Sequence, residues 1–581
     1  MTKSRLTARY VVPSLLLLTI AGPTPAQRIK DSPGIPVPTV TVQPKVVARP
    51  APTKVIMTPP TPTKKQLTLR MLAAALHKDA KGVDKLIKAG ADVNGTDPKG
   101  TPAIFYGLAV EGNDAVVKLL IDKGAKVNVH DRLGGSPLIY TAGKTADAGV
   151  VKLLLDKGCD PNIVDKAGTA PLFYAIAGRG NDATVDALLA KGAKVNTRDA
   201  RGNTPLCEAA GLRNDHAIKA VLDHGADPNA VNDRGYSPLA ISTNFHDLTA
   251  MNLLIGHGAN PNLTLTAGST ALMIAATNAD VDAARILITA GAGVNARAKN
   301  GATALLIATS RRGKTSGPSM PLIQMLIDHN ADVNARDAQS GTPLTSAAFA
   351  GNVALGRILV DHGANVDAQD NLGHTALINA AAEGHEDFVK LLLDHKANPN
   401  LRDKGGYSPL LWAARYNHTG VASKLITAGA KVNQPNAQGF TPLMAACWKG
   451  NVTLAQQLLA HKASVSAIET GGYTALMMAA RSNNPAVVKL LLDNGADVNV
   501  KTAKGDTAVN FTNGNMEVLK LLMPRLTTTS SPTNADDTAK LNRLLEPGAL
   551  LPTPTKPTSG PVWPPPAGVT PVPPKIIIGP H

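Results

Sequence analysis

Apolar residues recur along the middle of the chain in two short helical phases separated by a break. Between Gly439 and Ser466 the first run extends from Leu443 to about Trp448, and Lys449-Gly450-Asn451 interrupts it. A second run from Val452 to about Ala460 carries Leu454, Leu458 and Leu459 at helical spacing. Thr441 is placed to cap the first helix through its hydroxyl, and Pro442 then falls at the first helical position, where its missing N–H costs nothing. Neither helix reaches the ~12–15 residues that persist alone in water. The pattern therefore predicts a helix pair that must be buried against neighbouring pairs.

Those neighbours are present. Asn94, Asn128, Asn162, Asn196, Asn229, Asn262, Asn295, Asn334, Asp367, Asn400, Asn433, Ser466 and Asn499 fall at intervals of 33 or 34 residues, with one interval of 39 between Asn295 and Asn334. So constant a period predicts stacked supersecondary units, each touching only its neighbours. The long interval places about six extra residues around Arg311 to Pro321, in a loop expected to project from the helical side.

Within the units stand Thr204-Pro205-Leu206 and Thr441-Pro442-Leu443 after a Gly-x step, Thr342-Pro343-Leu344 with Ser340 in place of the Gly, and Ser-Pro-Leu at Ser136, Ser237 and Ser408. Each unit closes on a pattern such as Leu491-Leu492-Asp493-Asn494-Gly495-Ala496-Asp497-Val498-Asn499. On these motifs the chain resembles the ankyrin repeat family. The resemblance implies an all-α solenoid of about 14 helix-turn-helix units with β-turn fingers over residues 66–526, as thirteen helix pairs and a truncated fourteenth from Asp506 to Leu522. The family's His after Thr-Pro-Leu is mostly replaced, by Cys207, Met273, Ile378 or Met444, which puts the hydrogen bonds of that His in doubt. Ala271, Ala304, Ala376 and Ala475 replace the Pro, which should weaken helix starts only slightly.

The ends differ from the middle. Residues 1–26 read as a secretory signal: Lys3, Arg5 and Arg9 precede a short apolar stretch from Val11 to Ile20, and Thr24-Pro25-Ala26 offers small residues before a cut at Gln27. The stretch is about half the length of a bilayer-spanning helix, so export to the periplasm or the extracellular space is expected over retention as a membrane anchor. Residues 27–65 and 527–581 hold 22 of the 43 prolines and read as disordered, partly polyproline II tethers or docking strips. Of the net charge of +16, the 27–65 linker carries +6, which suits weak contact with an anionic membrane or cell-wall polymer. The repeats mix Lys with Asp instead of presenting a basic stripe, so no nucleic-acid partner is expected. A hydrophobic fraction of 44% is enough for a core and rules out a wholly disordered chain.

Several patterns nominate chemistry. Ala308-x-x-x-x-Gly313-Lys314-Thr315 fits a relaxed phosphate-binding loop, the basis of an alternative reading as a nucleotide or small-molecule binder or enzyme. A phosphate cradle needs a preceding strand, whereas Ala304 to Thr309 falls in a first repeat helix. His224, His257, His329, His362, His395 and His461 share one place at the ends of second helices. Neighbouring repeats lie ~8–10 Å apart and Zn–N bonds are ~2 Å, so helix-end capping is the reading preferred over a metal array. The three cysteines, Cys159, Cys207 and Cys447, lie too far apart for disulfides and sit at ordinary repeat positions. No nucleophile elbow or metalloprotease motif stands out, and neither catalysis nor a cofactor or metal is expected.

The residue two before the repeat's Pro or Ala is His374, Tyr407, Phe440 and Tyr473 in four successive units, in a chain whose aromatic content is only 3%. By resemblance, ankyrin proteins bind partners with these finger tips and with the two residues after the Ala-Ala of the first helix. The latter are Phe349 and Ala350, Ala382 and Glu383, Arg415 and Tyr416, Cys447 and Trp448, and Arg481 and Ser482. The sequence thus predicts a monomeric, non-enzymatic scaffold that grips a protein or peptide through Phe349, His374, Tyr407, Arg415, Tyr416, Phe440, Trp448, Tyr473 and Arg481 on its concave face. Aromatic and Arg side chains carry most interface energy.

Overall fold

The computed structural model describes residues 61–110, 112–131, 134–143, 148–178, 181–310 and 318–525. The signal segment, the linker up to residue 60, the tail from 527 and the Gly313-Lys314-Thr315 motif with most of its inserted loop lie outside the described residues. The helix Ala304–Thr309 stands directly before that loop.

Among the described residues, helix pairs follow one another from Lys64–Leu76 with Ala80–Lys88 to Ala475–Ser482 with Pro485–Asp493, thirteen in all. The first helix begins two residues before the boundary expected from proline content. Thr63 accepts from the Gln66 N–H and the Gln66 side chain accepts from the Thr63 N–H, a capping box that starts the helix directly after the Pro-rich stretch. In the fourteenth repeat the first helix shrinks to the 3-10 turn Ala508–Phe511, followed by Met516–Leu522. Asn510, Thr512, Asn513 and Gly514 are poor helix formers, and Ala508 and Phe511 are the apolar residues the turn buries.

Contacts divide the chain into two compact units, one ending at Gly293 and one beginning at Val294, each holding seven repeats. Each unit is an all-α repeat solenoid. Within it, first helices pack on first helices and second on second, as in Pro442–Trp448 against Ala475–Ser482 and Val452–Ala460 against Pro485–Asp493. The Ala-Ala step of the first helices, such as Ala413-Ala414 and Ala479-Ala480, is fully buried, so the backbones approach closely. Second helices contribute a leucine seam, including Leu425, Leu458 and Leu491.

Caps appear where the sequence places them. Thr441 accepts from the Met444 N–H, Thr204 from Cys207, Thr270 from Met273 and Thr375 from Ile378. Cys207, Met273, Ile378 and Met444, which replace the family's His, are all buried among apolar side chains. The helix start therefore rests on the Thr hydroxyl and the loss of the His is absorbed by packing.

The periodic Asn is the staple between repeats. Asn94 Nδ2 donates to the Gly124 carbonyl at 3.1 Å, and its Oδ1 accepts from the Lys126 N–H at 2.7 Å. The same two bonds recur from Asn128, Asn162, Asn196, Asn229 and Asn262 in the first unit. In the second unit they recur from Asn295, Asn334, Asn400 and Asn433. Asp367 keeps only the accepting half, from the Asn398 N–H. Ser466 is too short to reach the next repeat and bonds Ser464 instead. Ser466→Asn is expected to restore both bonds, to the Gly495 carbonyl and the Asp497 N–H, and to stabilise the twelfth repeat on the thirteenth by about 1 kcal/mol. A rise in the urea midpoint of unfolding measures it; an unchanged midpoint refutes it.

The six helix-end histidines behave as caps. Each is the residue that ends its helix, and its Nδ1 bonds the carbonyl four residues back, at 2.8 to 2.9 Å.

Candidate functional site

The fingers are built on one Asp or Asn apiece. Asp403 Oδ1 accepts from the Tyr407 N–H at 2.8 Å, and the Asp403 N–H donates to the Tyr407 carbonyl at 3.1 Å. Asp370 does the same for His374, Asn436 for Phe440, and Glu469, a longer acid, for Tyr473. This closes a tight loop whose tip is the pair between, such as Lys404-Gly405 or Asn371-Leu372, and Leu372 is 45% exposed. Along the second unit the tips are joined by main-chain bonds. The N–H groups of Ala338, Asn371, Lys404, Ala437, Thr470 and Ala503 donate to the carbonyls of Asn300, Gln339, Leu372, Gly405, Gln438 and Gly471 of the preceding finger. Gly406 is required there: its φ is +81°, and a Cβ would stand 2.7 Å from the Ala437 nitrogen.

This geometry overturns the expectation that the four finger aromatics are exposed tips. His374, Tyr407, Phe440 and Tyr473 are 2%, 3%, 1% and 9% exposed. Bonding of their N–H groups back to the acid or amide four residues earlier turns each ring inward, over the first helix, while the tip lies two residues before it.

Under the eleventh finger the rings form one cluster around Trp412, a fully buried residue of the helix Pro409–Tyr416. Trp412 stacks on Tyr416 with centroids 5.7 Å apart and planes 6° apart, tilts against Tyr407 at 4.9 Å and meets His374 edge-on at 6.3 Å. Its Nε1 donates to Asp403 Oδ2 at 2.9 Å. The spacing of nine residues recurs in the first unit, where Tyr106, Tyr140 and Tyr174 donate to Asp97, Asp131 and Asp165. That Asp-to-aromatic interval is visible in the sequence and was the missed signal for Trp412.

His374 lies between two carboxylates, with Nδ1 3.6 Å from Asp370 and Nε2 3.6 Å from Asp403. Burial works against charge on the imidazole, but the two carboxylates outweigh it and raise its pKa to about 9. Burial likewise pushes the Asp370 carboxyl up, and its bonds to His374 more than cancel this, leaving it below the ordinary value.

The ends of the first helices carry the other expected contacts. Superposed by repeat, one row reads Phe349, Ala382, Arg415, Trp448 and Arg481, and the next Ala350, Glu383, Tyr416, Lys449 and Ser482. The sequence pairing of Cys447 with Trp448 is therefore one position early, and Cys447 is fully buried. The offset arises because Ala446-Cys447 stands where other repeats carry their Ala-Ala step, so that counting from Ala445-Ala446 starts one residue early; Lys449, which caps the helix Pro442–Trp448, falls at the place of Tyr416. Phe349, Tyr416, Trp448 and Arg481 are half-buried, with surface left to water. Arg415 departs from expectation: it is 5% exposed, its guanidinium 5.8 Å from the Tyr407 ring, 5.5 Å from Trp412 and 5.8 Å from Tyr416. Lys449 Nζ lies 4.5 Å over the Trp448 ring.

The cysteines are free and buried, and burial raises the Cys159 thiol to about 12, far from a nucleophile's range.

Compared with protein families, residues 70–165, 144–232, 238–337, 314–403, 347–436, 391–469, 410–502 and 450–533 each match the family described as Ankyrin repeats (3 copies). The chain belongs to the ankyrin repeat family. No curated protein matches it. Ankyrin repeats are in general protein–protein interaction modules and ankyrin proteins typically non-enzymatic scaffolds, and the helix-end rows of this ankyrin protein hold the half-buried aromatics Phe349, Tyr416 and Trp448, with Tyr140 and Tyr236 half-buried elsewhere.

Proposed function

We propose that this ankyrin protein is a non-enzymatic scaffold that grips a protein or peptide through the first-helix ends and finger tips of its second unit. The observation that carries the reading is the set of Phe349, Trp448 and Arg481 in one helix-end row and Tyr416 in the next, large side chains of the types that dominate interfaces, left half-buried at the first-helix ends of the ninth, eleventh, twelfth and thirteenth repeats. His374, Tyr407, Phe440 and Tyr473 act beneath this surface, holding finger to helix. Export to the periplasm or extracellular space is part of the proposal and is supported by the signal-like pattern of residues 1–26. The basic linker at 27–65 suits weak contact with an anionic membrane or cell-wall polymer.

The test is quantitative affinity capture with the full-length protein and with a Phe349→Ala, Tyr416→Ala, Trp448→Ala variant, checked for an unchanged circular dichroism spectrum. The variant is expected to lose wild-type partners by at least about tenfold in recovery. Equal recovery by a folded variant would place binding elsewhere.

A further inference from the structure

We propose that Arg415 and Lys449 form a carboxylate-binding site at the first-helix ends of the eleventh and twelfth repeats, which takes an Asp or Glu side chain of a bound peptide. The inference rests on the interaction surface proposed above and specifies the chemistry of its partner.

Arg415 is the unusual group. It is 5% exposed, its Nε is buried with no hydrogen-bond partner, and among the described residues no carboxylate lies within ion-pair distance of it. Buried charges are ordinarily paired, and an unmet guanidinium N–H is costly. Several helix lysines meet acids, Lys219 with Asp223 at 2.5 Å, Lys390 with Asp394 at 2.7 Å, Lys489 with Asp493 at 2.6 Å and Lys424 with Glu386 at 3.0 Å, while Arg285 and Arg357, which have no ion pair among the described residues, stand exposed to water as Arg415 does not. The rings of Tyr407, Trp412 and Tyr416 surround the guanidinium, which satisfies its apolar faces but supplies no anion.

A second cation stands beside it. Lys449, one repeat on, makes no ion pair among the described residues and rests on Trp448. Burial first, and then the charge of Arg415, lower the pKa of its ammonium. Two adjacent cations framed by half-buried Tyr416 and Trp448 match an acidic side chain whose flanking peptide lies on the rings. One guanidinium fork with one ammonium fits a monoanionic carboxylate; phosphate is the usual ligand of arginine clusters.

The full-length protein is titrated, by fluorescence anisotropy at low salt, with a labelled glycine-serine dodecapeptide carrying two central glutamates. Parallel titrations use the same peptide with glutamines and with a phosphoserine. The glutamate peptide is expected to bind about tenfold more tightly than the glutamine peptide. Lys449→Gln, at an exposed position, and Arg415→Gln should each remove most of that preference. Equal binding of glutamate and glutamine peptides overturns the site, as does full preference in a folded Arg415→Gln, Lys449→Gln variant. A phosphoserine peptide held more than about tenfold tighter than glutamate overturns the carboxylate assignment. A captured partner released by Phe349→Ala, Tyr416→Ala, Trp448→Ala but retained by Arg415→Gln, Lys449→Gln would sink this site and leave the scaffold function standing. Because Lys449→Gln leaves the buried cluster untouched, the test survives even if Arg415→Gln unfolds the repeat.

Discussion

His374→Gln is expected to destabilise the second unit by about 3 kcal/mol at pH 6, and by very little at pH 10. The imidazole has a pKa of about 9 between Asp370 and Asp403, against an ordinary value of 6.5. Folding therefore favours the charged ring. Its contribution is complete below about pH 6.5, shrinks as pH rises through 9 and vanishes above, because the folded protein then no longer holds the extra proton. A gap of that size converts to about 3 kcal/mol at ~1.4 kcal/mol per pKa unit. Urea unfolding of wild type and variant at both pH values measures it. A deficit independent of pH would show that His374 contributes shape and not charge.

Trp412→Ala is expected to cost about 3–5 kcal/mol, the range for emptying a buried aromatic site. The ring is fully buried, and its removal takes away the stack on Tyr416 and the support for Tyr407. It also withdraws the Nε1–H donor from Asp403 Oδ2, leaving that oxygen to His374 while Oδ1 keeps the Tyr407 N–H. Trp412→Tyr offers the discriminating comparison. Tyr106 and its counterparts in the first unit donate to an Asp nine residues earlier, so a tyrosine at 412 should recover more than half of the loss. If the tyrosine is as damaging as the alanine in urea unfolding, the donor to Asp403 contributes nothing and volume alone decides.

Both substitutions address residues whose role the sequence only half discloses. The repeats were legible because their signals are local and repeated: Thr441 caps its own helix, Pro442 starts it, and the periodic Asn recurs at one interval. Stacking could be inferred because neither helix can stand alone. The finger rings were misplaced because an aromatic two residues before a helix looks like a turn tip in one dimension. Its inward turn is set by the N–H bond from Tyr407 to Asp403 and by Trp412 waiting on the helix, and neither is a property of position 407 by itself. The burial of Arg415 was hidden for the same reason, since its three ring neighbours lie on both the finger and the helix. Lys449 ends the helix Pro442–Trp448, as the Lys449-Gly450-Asn451 run predicts, but only alignment by repeat shows it to be the counterpart of Tyr416.

The ladder of fingertips in the second unit has a consequence for protein engineering. Adjacent fingers are clamped at each step by main-chain N–H and carbonyl groups, so this clamp does not depend on side chains at tips such as Leu372, Lys404 and Gln438; between the ninth and tenth fingers side chains add to it, where Ser340 Oγ donates to Asn371 Oδ1 at 2.8 Å and Asn371 Nδ2 donates to the Ala338 carbonyl at 3.0 Å. The glycines that follow the tips are the fixed points: a Cβ at Gly373, Gly406, Gly439 or Gly472 would come within 2.7 to 3.0 Å of the next finger's backbone. Positions such as Leu372, Lys404, Gln438 and Thr470 can therefore be randomised in a display library without disturbing the register of the stack. Recognition and stability sit on neighbouring residues of one loop and can be selected independently.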